Sequence, residues 1–263
     1  MNINTYDWSS KYYDKVLNSS VIEEDIDFYK SYLTKDSKVL EVGCGTGRVS
    51  LNICNLCKIV DGIDLSESML SVFRSKLNGI NNINIYKMNM IDYKINESYD
   101  LIIFPFRSFQ SLTSPDDKIK CLINTFTHLK ENGTIIIQMF NPIDSYLQNY
   151  HLMNKYDNEY YDIDNNMIIK RYSIGVSCDM KKQIIKSIYR FKVIQNDKII
   201  NEIDEPLELG YMYYEQFLEM INKLNMRITN TYKSWDKKIY DNEKKEMIFE
   251  IRKSGQQAGG ANS

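Results

Sequence analysis

A glycine-rich run near the start of the chain has residue types and spacing that suit close binding of a ligand. Residues 38–47 read Lys-Val-Leu-Glu-Val-Gly-Cys-Gly-Thr-Gly, which predicts a short buried strand, a turn and a helix from about Gly47. Glycine has no Cβ, so it adopts positive φ at low cost and lets the backbone come close to a ligand. A turn that opens a helix also points free N–H groups at that ligand. The run therefore predicts a binding loop.

The glycine spacing distinguishes this loop from a dinucleotide-binding fingerprint. That fingerprint is G-x-G-x-x-G, with the third glycine opening the helix, whereas here the spacing is G-x-G-x-G and Arg48 stands in the third position. The full pattern, Glu-x-Gly-x-Gly-x-Gly, resembles motif I of the class I S-adenosylmethionine (SAM)-dependent methyltransferases. The resemblance implies that Glu41, Gly43, Gly45 and Gly47 bind SAM, with the glycines passing under its methionine part. An ordinary tight turn is the alternative.

A second acid, Asp64, ends the second predicted strand. An acid at this point of a doubly wound sheet is placed to accept hydrogen bonds from both hydroxyls of a ribose. The alternative is a turn residue before a helix that Ser66 caps. The stretch around Asp64 resembles the family's motif after strand two, which implies that Leu65 and Met69 border the adenosine. For Met69, packing in the core is an equal alternative.

The stretch 88–93 resembles the family's G-D-M-x-D-F motif, with Met and Asn in place of its Gly and Asp. The resemblance implies that Asn89 binds adenine through its side-chain carbonyl and that Met90 binds it through its backbone N–H. Phe104 ends the fourth predicted strand and is a further predicted cofactor contact.

The loop at 105–112 follows that strand, and in the resembled family it lies at the reactive end of the cofactor. Arg107 and Phe109 are therefore predicted to contact the acceptor, and an arginine there can clamp a carboxylate or phosphate. A solvated or ion-paired Arg107 is the alternative.

A long segment, 141–210, separates the fifth predicted strand from the next helix. Three stretches within it, 168–178, 183–194 and 198–209, alternate apolar and polar residues and predict an antiparallel meander. In the resembled family such insertions build the acceptor site, which implies a substrate contact for Arg171. Several tyrosines precede the meander; they predict a pocket wall, a cation site, or contacts that only fasten the insertion to the main sheet.

Two further residues are candidates for catalysis. Tyr13 and Asp14 resemble a Tyr-Asp pair in an N-terminal arm that covers the cofactor, which implies that Tyr12 contacts the acceptor and that the Tyr13 hydroxyl orients it. The alternative is that these aromatic residues only anchor the arm. His151 is the one histidine of the insertion, and its ordinary pKa suits a base at neutral pH. A surface or packing histidine is the alternative.

Composition is typical of a soluble globular protein. The chain has 263 residues, of which 43% are hydrophobic and 26% charged, and a formal net charge of −2, so it lacks the basic excess of nucleic-acid-binding proteins. No apolar run is long enough to span a bilayer. Two histidines and five scattered cysteines lack the spacing of metal ligands, and Cys54 and Cys57 are predicted to be buried. We therefore expect no metal and a reduced, cytoplasmic protein.

These elements predict an α/β fold: a Rossmann-like, seven-stranded, mostly parallel sheet with helices on both faces and the antiparallel β cap at 141–210. We expect one domain over 1–253 and a flexible or artificial tail over 254–263.

The predicted activity is methyl transfer from SAM, leaving S-adenosylhomocysteine, to an amine of a small molecule or peptide. The enzyme is expected to be a monomer or homodimer without nucleic-acid or membrane partners. Small-molecule O-methylation, RNA methylation, SAM binding without catalysis and an NAD-dependent dehydrogenase are the alternatives. Near-neutral charge and the lack of an Asn-Pro-Pro-Tyr-type tetrad disfavour RNA.

Overall fold

The computed structural model describes residues 6–17, 24–241 and 246–254. The predicted tail beyond residue 254 lies outside the described residues, as do the first three residues of a helix predicted over 21–33. The strands of the described residues are β1 (Lys38–Val42), β2 (Ile59–Asp64), β3 (Ile83–Lys87), β4 (Tyr99–Phe104), β5 (Leu129–Phe140), β6 (Asn154–Asp162), β7 (Met167–Asp179), β8 (Ile184–Gln195), β9 (Lys198–Gly210), β10 (Met226–Tyr232) and β11 (Glu246–Lys253).

The strands form two sheets. Seven make a sheet of order β10-β11-β5-β4-β1-β2-β3, and the other four make a sheet of order β6-β7-β8-β9. In the larger sheet β1 to β5 are parallel, whereas β11 runs antiparallel to both β5 and β10. The predicted Rossmann-like sheet, with its antiparallel last strand, is confirmed.

Helices cover both faces of the larger sheet. The α-helices are α1 (Tyr13–Leu17), α2 (Glu24–Lys30), α3 (Arg48–Ile53), α4 (Glu67–Ser75), α5 (Pro115–Thr127), α6 (Asp144–Gln148) and α7 (Tyr214–Lys223). Buried residues of α2, α3 and α4 join one core cluster, and those of α5 and α7 join a second cluster on the opposite face. Successive residues of a strand point to opposite faces, so Val39 lies in the first cluster and Leu40 in the second.

The four-stranded sheet is the cap predicted from the alternating stretches of 141–210. Its strands pair antiparallel from β6 to β9, so the meander is confirmed. The first strand, β6, was not predicted. Its sequence, Asn-Lys-Tyr-Asp-Asn-Glu-Tyr-Tyr-Asp, offers few of the aliphatic residues by which an amphipathic strand is identified.

The connection between α5 and β5 corrects a sequence-based boundary. The sequence of 115–130 predicts a helix that stops at Asn132-Gly133, but α5 ends at Thr127 and this dipeptide lies inside β5. A Cβ on Gly133 would come within 2.9 Å of the Tyr99 carbonyl oxygen. The glycine is therefore explained by close strand packing, which a local turn rule does not register.

A buried polar cluster ties three strands of the larger sheet together. Asp61 on β2 is 1% exposed and accepts hydrogen bonds from the Tyr99 hydroxyl at 2.5 Å and from the Asn84 amide at 2.8 Å. These partners lie on β4 and β3, so the carboxylate links strands on both sides of β1 and β2. A buried carboxylate is stable only where hydrogen bonds replace its lost hydration.

We expect Tyr99→Phe to destabilise the fold by about 1–3 kcal/mol, because it removes a donor from this buried carboxylate. Urea denaturation measures the change. Tyr172→Phe is the matched control, since Tyr172 lies on the cap and its hydroxyl has no hydrogen-bond partner among the described residues. Equal unfolding free energies for the two variants would show that the Asp61 cluster does not support the sheet.

Candidate functional site

The glycine loop after β1 adopts backbone angles that are energetically unfavourable for residues other than glycine. Gly43 and Gly47 have φ values of 79° and 83°, in the left-handed region that favours glycine. A Cβ at Gly43 would lie 2.5 Å from the Ser108 side chain, and one at Gly47 would lie 2.1 Å from the Phe73 ring. The loop is therefore packed from both sides, and its remaining open surface faces the ends of the parallel strands.

The carboxylate of Asp64 is hydrogen-bonded to this loop. Its Oδ2 accepts the Gly45 N–H at 2.9 Å, and its Oδ1 accepts the Ser66 N–H at 2.8 Å. Burial raises the pKa of Asp64, while these backbone hydrogen bonds act in the opposite direction. Each carboxylate oxygen accepts more than one hydrogen bond, so Asp64 can position the loop and still receive the two hydroxyls of a ribose.

A cavity of about 1000 Å³ opens at this edge of the sheet. It lies between the glycine loop, the loop after β4 and the inner face of the cap, where ligands of open α/β sheets bind. The structure brings together here most of the residues predicted to hold the cofactor. Those lining the cavity are Gly43, Gly45, Asp64, Leu65, Met69, Asn89 and Met90. Tyr13, Arg107 and Arg171 line it too.

Glu41 and Gly47, which were both expected to contact the ligand, do not line the cavity. Gly47 is the N-cap of α3 and packs on Phe73. Glu41 is 2% exposed and accepts hydrogen bonds from the Ser50 N–H at 2.9 Å and from the Ser50 hydroxyl. Both residues therefore fix the start of α3, and they shape the loop from behind.

Four other predicted residues also lie away from the cavity. Phe104 and Phe109 are fully buried in the main core, with their rings edge to face at 5.7 Å. Tyr12 packs into the apolar cluster of the cap, because its ring meets Trp8. His151 is exposed on the short 3-10 helix Tyr150–Leu152. The structure gives no support to ligand contacts for these four.

The buried Glu41 makes stability depend on pH. Burial raises its pKa from 4.5 to about 7, although the Ser50 hydrogen bonds and the charge of Arg48 lower it. Arg48 is itself paired with Asp25 through two hydrogen bonds of 2.8 and 2.5 Å. The folded state therefore holds the Glu41 proton more tightly than the unfolded state does. The stability that protonated Glu41 contributes is present below pH 4.5 and is lost as the pH rises to about 7.

Glu41→Gln keeps the shape of the side chain and cannot ionise. We expect its stability relative to the natural protein to rise by about 2–3 kcal/mol between pH 5 and pH 8. Denaturant unfolding at both pH values measures this. Asp27→Asn, a change at an exposed carboxylate, is the control. Parallel pH profiles for Glu41→Gln and the natural protein would contradict the raised pKa.

The loop after β4 is strained and held by an ion pair. Phe106 and Arg107 have φ values of 50° and 65°, which cost energy in residues with a Cβ. Arg107 pairs with Glu246 on β11, and Glu246 accepts the Gln138 amide at 3.2 Å. Gln138 in turn accepts the Phe106 N–H at 2.8 Å. Arg107 is therefore an ion-paired residue at the cavity wall.

The cap contributes cavity residues that the sequence did not single out. Tyr189 on β8 lines the cavity together with Ser187, Ser173 and Asp157. Alternation along β8 predicts that Ser187 and Tyr189 lie on the same face of the strand. It does not predict which face meets the cavity. Asp157 belongs to β6, the strand that was not predicted.

The N-terminal arm, residues 6–17, joins the glycine loop to the cap. Asp14 accepts the Thr46 hydroxyl at 2.5 Å and pairs with Lys76. At the other end, Glu205 on β9 accepts the N–H groups of Trp8 and Ser9 at 2.8 and 2.9 Å. Between these attachments, Tyr13 lines the cavity. The arm is therefore fastened at both ends, and Tyr13 lies in the cavity wall between them.

Two features are absent from residues 6–17, 24–241 and 246–254. No group of three or more His, Cys, Asp or Glu side chains is arranged to hold a metal ion. No helix is long and apolar enough to cross a membrane.

Comparison with known proteins identifies relatives of the part that carries the glycine loop. Residues 39–133 match the family model for a methyltransferase domain. A putative methyltransferase of Geobacillus sp. (strain WCH70) is 26% identical over 145 residues, which are 51% of this chain and 57% of that protein. A malonyl-[acyl-carrier protein] O-methyltransferase of Bacillus anthracis is 32% identical over 105 residues, 39% of this chain and 37% of that protein. The chain thus spans about half the length, or less, of these curated relatives.

Solved structures match over nearly the whole chain. A SAM-dependent methyltransferase from Clostridium acetobutylicum has a TM-score of 0.76 at 22% identity, covering 96% of this chain and 100% of that chain. The CcbJ methyltransferase from Streptomyces caelestis has a TM-score of 0.78 at 19% identity, covering 97% and 100%. The sugar N-methyltransferase KedS8 from a Streptoalloteichus species has a TM-score of 0.69 at 12% identity, covering 94% and 92%. At these identities the likeness shows a shared fold.

Proposed function

We propose that the chain is a class I SAM-dependent methyltransferase that methylates a small-molecule or peptide acceptor beneath its cap. Residues 39–133 match a methyltransferase-domain model, and a SAM-dependent methyltransferase shares the fold of the chain. The observation that carries this proposal is the single cavity shared by two sets of residues. The glycine loop and Asp64 line one part of it, and the inner face of the cap lines another. A cofactor and an acceptor bound there would meet inside an enclosed space.

The chain's residues fit SAM. The glycine loop leaves a cradle beside Gly45, where an added Cβ would meet nothing within 4 Å, and Asp64 offers carboxylate lone pairs beside it. SAM supplies an electrophilic methyl group, which the acceptor's lone pair takes by in-line displacement, leaving S-adenosylhomocysteine. The protein's part is to position both molecules and exclude water. The arm and the cap serve that purpose by covering the cavity.

We assign Tyr13 an orienting role and give His151 none. Burial raises the pKa of the Tyr13 hydroxyl well above its ordinary value, so the hydroxyl stays protonated at neutral pH and can donate a hydrogen bond to the acceptor. His151 is exposed outside the cavity. An amine acceptor would therefore bind in its neutral form, without a histidine base.

An amine is the acceptor group that we favour. Structural neighbours matched over 92% and 96% of their length are a sugar N-methyltransferase and a glycopeptide N-methyltransferase. A hydroxyl or carboxyl oxygen is the second candidate, because malonyl-[acyl-carrier protein] O-methyltransferases match 39% and 41% of the chain.

Mass spectrometry of reactions with SAM and matched panels of small amines and hydroxyl compounds tests the proposal. The expected product is heavier by one methylene and forms together with S-adenosylhomocysteine. Tight SAM binding without any methyl transfer would favour a non-catalytic SAM-binding protein. Binding of NAD in place of SAM would favour a dehydrogenase.

Asp64→Ala should weaken S-adenosylhomocysteine binding at least about tenfold, because hydrogen bonds to a charged group are worth about 1.5–3 kcal/mol each. Calorimetric titration measures the affinity. Asp64→Asn keeps one acceptor oxygen and should lose less. Asp27→Ala, at an exposed carboxylate, is the control and should bind as the natural protein does. Unchanged affinity in Asp64→Ala would remove this residue from the ribose site.

We also expect activity to be independent of metal ions, since methyl transfer from a sulfonium needs no Lewis acid. Turnover after treatment with a chelator should equal that of untreated enzyme. Loss of activity that one divalent ion restores would contradict this expectation.

A further inference from the structure

The inner face of the cap has a polar centre between two apolar ends. At one end Ile169, Phe191 and Val193 pack with the arm, and at the other end Ile185 packs with Phe140 and its neighbours. Between them lies a set of side chains that all line the cavity and that we call the polar band: Asp157, Arg171, Ser173, Ser187 and Tyr189. A polar band on an otherwise apolar inner face is the part of the cap able to recognise polar groups of an acceptor.

Arg171 is held in one orientation within the polar band. Its Nε donates to Asp157 Oδ2 at 3.1 Å, and the Ser173 hydroxyl donates to the same oxygen at 2.6 Å. The guanidinium carbon lies 4.8 Å from the centre of the Tyr189 ring. The side chain is 13% exposed. A carboxylate on one side and a ring face on the other therefore fix the guanidinium plane before any ligand arrives.

Most hydrogen-bonding capacity of this arginine is unused. A guanidinium has five N–H donors, and within the part of the chain that the structure describes only the Nε–H of Arg171 has a partner. The terminal nitrogens form the fork that binds a carboxylate or phosphate through two parallel hydrogen bonds. Because Arg171 lines the cavity, this fork is available to a ligand there. A preorganised fork loses little conformational entropy on binding.

The charges that the cap brings to the cavity also favour an anion. Two of its cavity-lining side chains are cationic, Lys155 and Arg171, and one is anionic, Asp157. Asp157 is already hydrogen-bonded to Arg171 and Ser173. The other cavity arginine, Arg107, is paired with Glu246. The cap therefore brings one more cationic than anionic side chain to the cavity.

A cationic ligand is the rival that the tyrosines of the cavity raise. Tyr6, Tyr13, Tyr146, Tyr150 and Tyr189 all line it, and ring faces attract cations. However, the Arg171 guanidinium already covers the Tyr189 ring, and a second cation beside it would be repelled. The polar band therefore suits a negative group better than a positive one.

We propose that the acceptor carries an anionic group, a carboxylate or a phosphate, which the Arg171 fork binds on the polar band. This assignment rests on the proposed methyltransferase function and adds the chemical class of its acceptor. Arg171 is then a specificity-determining residue, and Asp157 and Tyr189 are positioning residues that act through it. A neutral or cationic analogue of the acceptor would leave the guanidinium fork unpaired.

The test uses probes that share one ring and differ in charge: benzoate, phenyl phosphate, benzyl alcohol and benzylammonium. Each is titrated by calorimetry or ligand-observed NMR into the full chain saturated with S-adenosylhomocysteine. We expect saturable binding of benzoate or phenyl phosphate, at least about tenfold tighter than that of the neutral and cationic probes, as charge-assisted hydrogen bonds require. Whichever anion binds more tightly identifies the group as carboxylate or phosphate.

Arg171→Gln should weaken binding of that anion at least about tenfold, while S-adenosylhomocysteine binds as before. The matched control is Arg190→Gln, since Arg190 lies on β8 but pairs with Asp204 at 2.7 Å and does not line the cavity. If Arg171→Gln fails to fold because Asp157 loses its partner, the double variant Asp157→Asn/Arg171→Gln removes both charges.

Three results would overturn this assignment. The first is the lack of saturable binding of either anion to the natural protein. The second is equal anion affinity of Arg171→Gln and the natural protein. The third is tighter binding of benzylammonium than of the anions. Binding of S-adenosylhomocysteine to the natural protein distinguishes failure of this assignment from failure of the proposed function. If it does not bind S-adenosylhomocysteine at all, the methyltransferase proposal itself is wrong; if it binds S-adenosylhomocysteine but not the anions, only the acceptor assignment is.

Discussion

The carboxylate of Asp64 is the constraint on which the cofactor end of the structure depends. It ends β2 and holds the N–H of Gly45 in the loop after β1, together with the Ser66 N–H that precedes α4. Two neighbouring strand ends are thereby joined by one side chain. The glycine loop keeps a backbone with positive φ values, which the same residues would not maintain without these contacts. Its shape is a property of two βα units together.

Other polar contacts connect the glycine loop, the arm, the cap and the loop after β4. The arm is attached to the loop through Asp14 and Thr46 and to the cap through Glu205. The loop after β4 is held by Gln138 and Glu246 from β5 and β11. Charged and polar side chains thus connect segments that are far apart in sequence. The connection through Gln138 and Glu246 forms part of the cavity wall.

The sequence was sufficient for the cofactor end because its signals are local. The strand 38–42, its glycines and the acid at Asp64 are neighbours along the chain, and their spacing alone indicates their arrangement. The strand 99–104 was placed correctly because a buried parallel strand is a mostly apolar run, and the strand 83–87 was placed correctly because its apolar and polar residues alternate. Ser66 was predicted to cap its helix, and its hydroxyl accepts the Met69 N–H at 3.3 Å.

The acceptor end could not be predicted in the same way. Alternation in a strand separates two faces without saying which one meets a ligand, so Tyr189 carried no signal. Phe109 was predicted to be a site residue because it lies in the loop after β4, and Tyr12 because it lies in the arm beside Tyr13. The core and the cap cluster enclose both side chains. The Asn132-Gly133 dipeptide misled because tertiary packing of β5 overrode its turn preference.

The cap forms a sheet of its own, so its sequence can change during evolution independently of the glycine loop. Strands β6 to β9 pair with one another in a sheet of their own, and their inner face bears the polar band, whereas the cofactor loop belongs to the other sheet. A substitution on the inner face therefore alters the acceptor side without disturbing the hydrogen bonds around Asp64. Under the proposed function, selection can then replace one acceptor with another while the methyl donor stays the same.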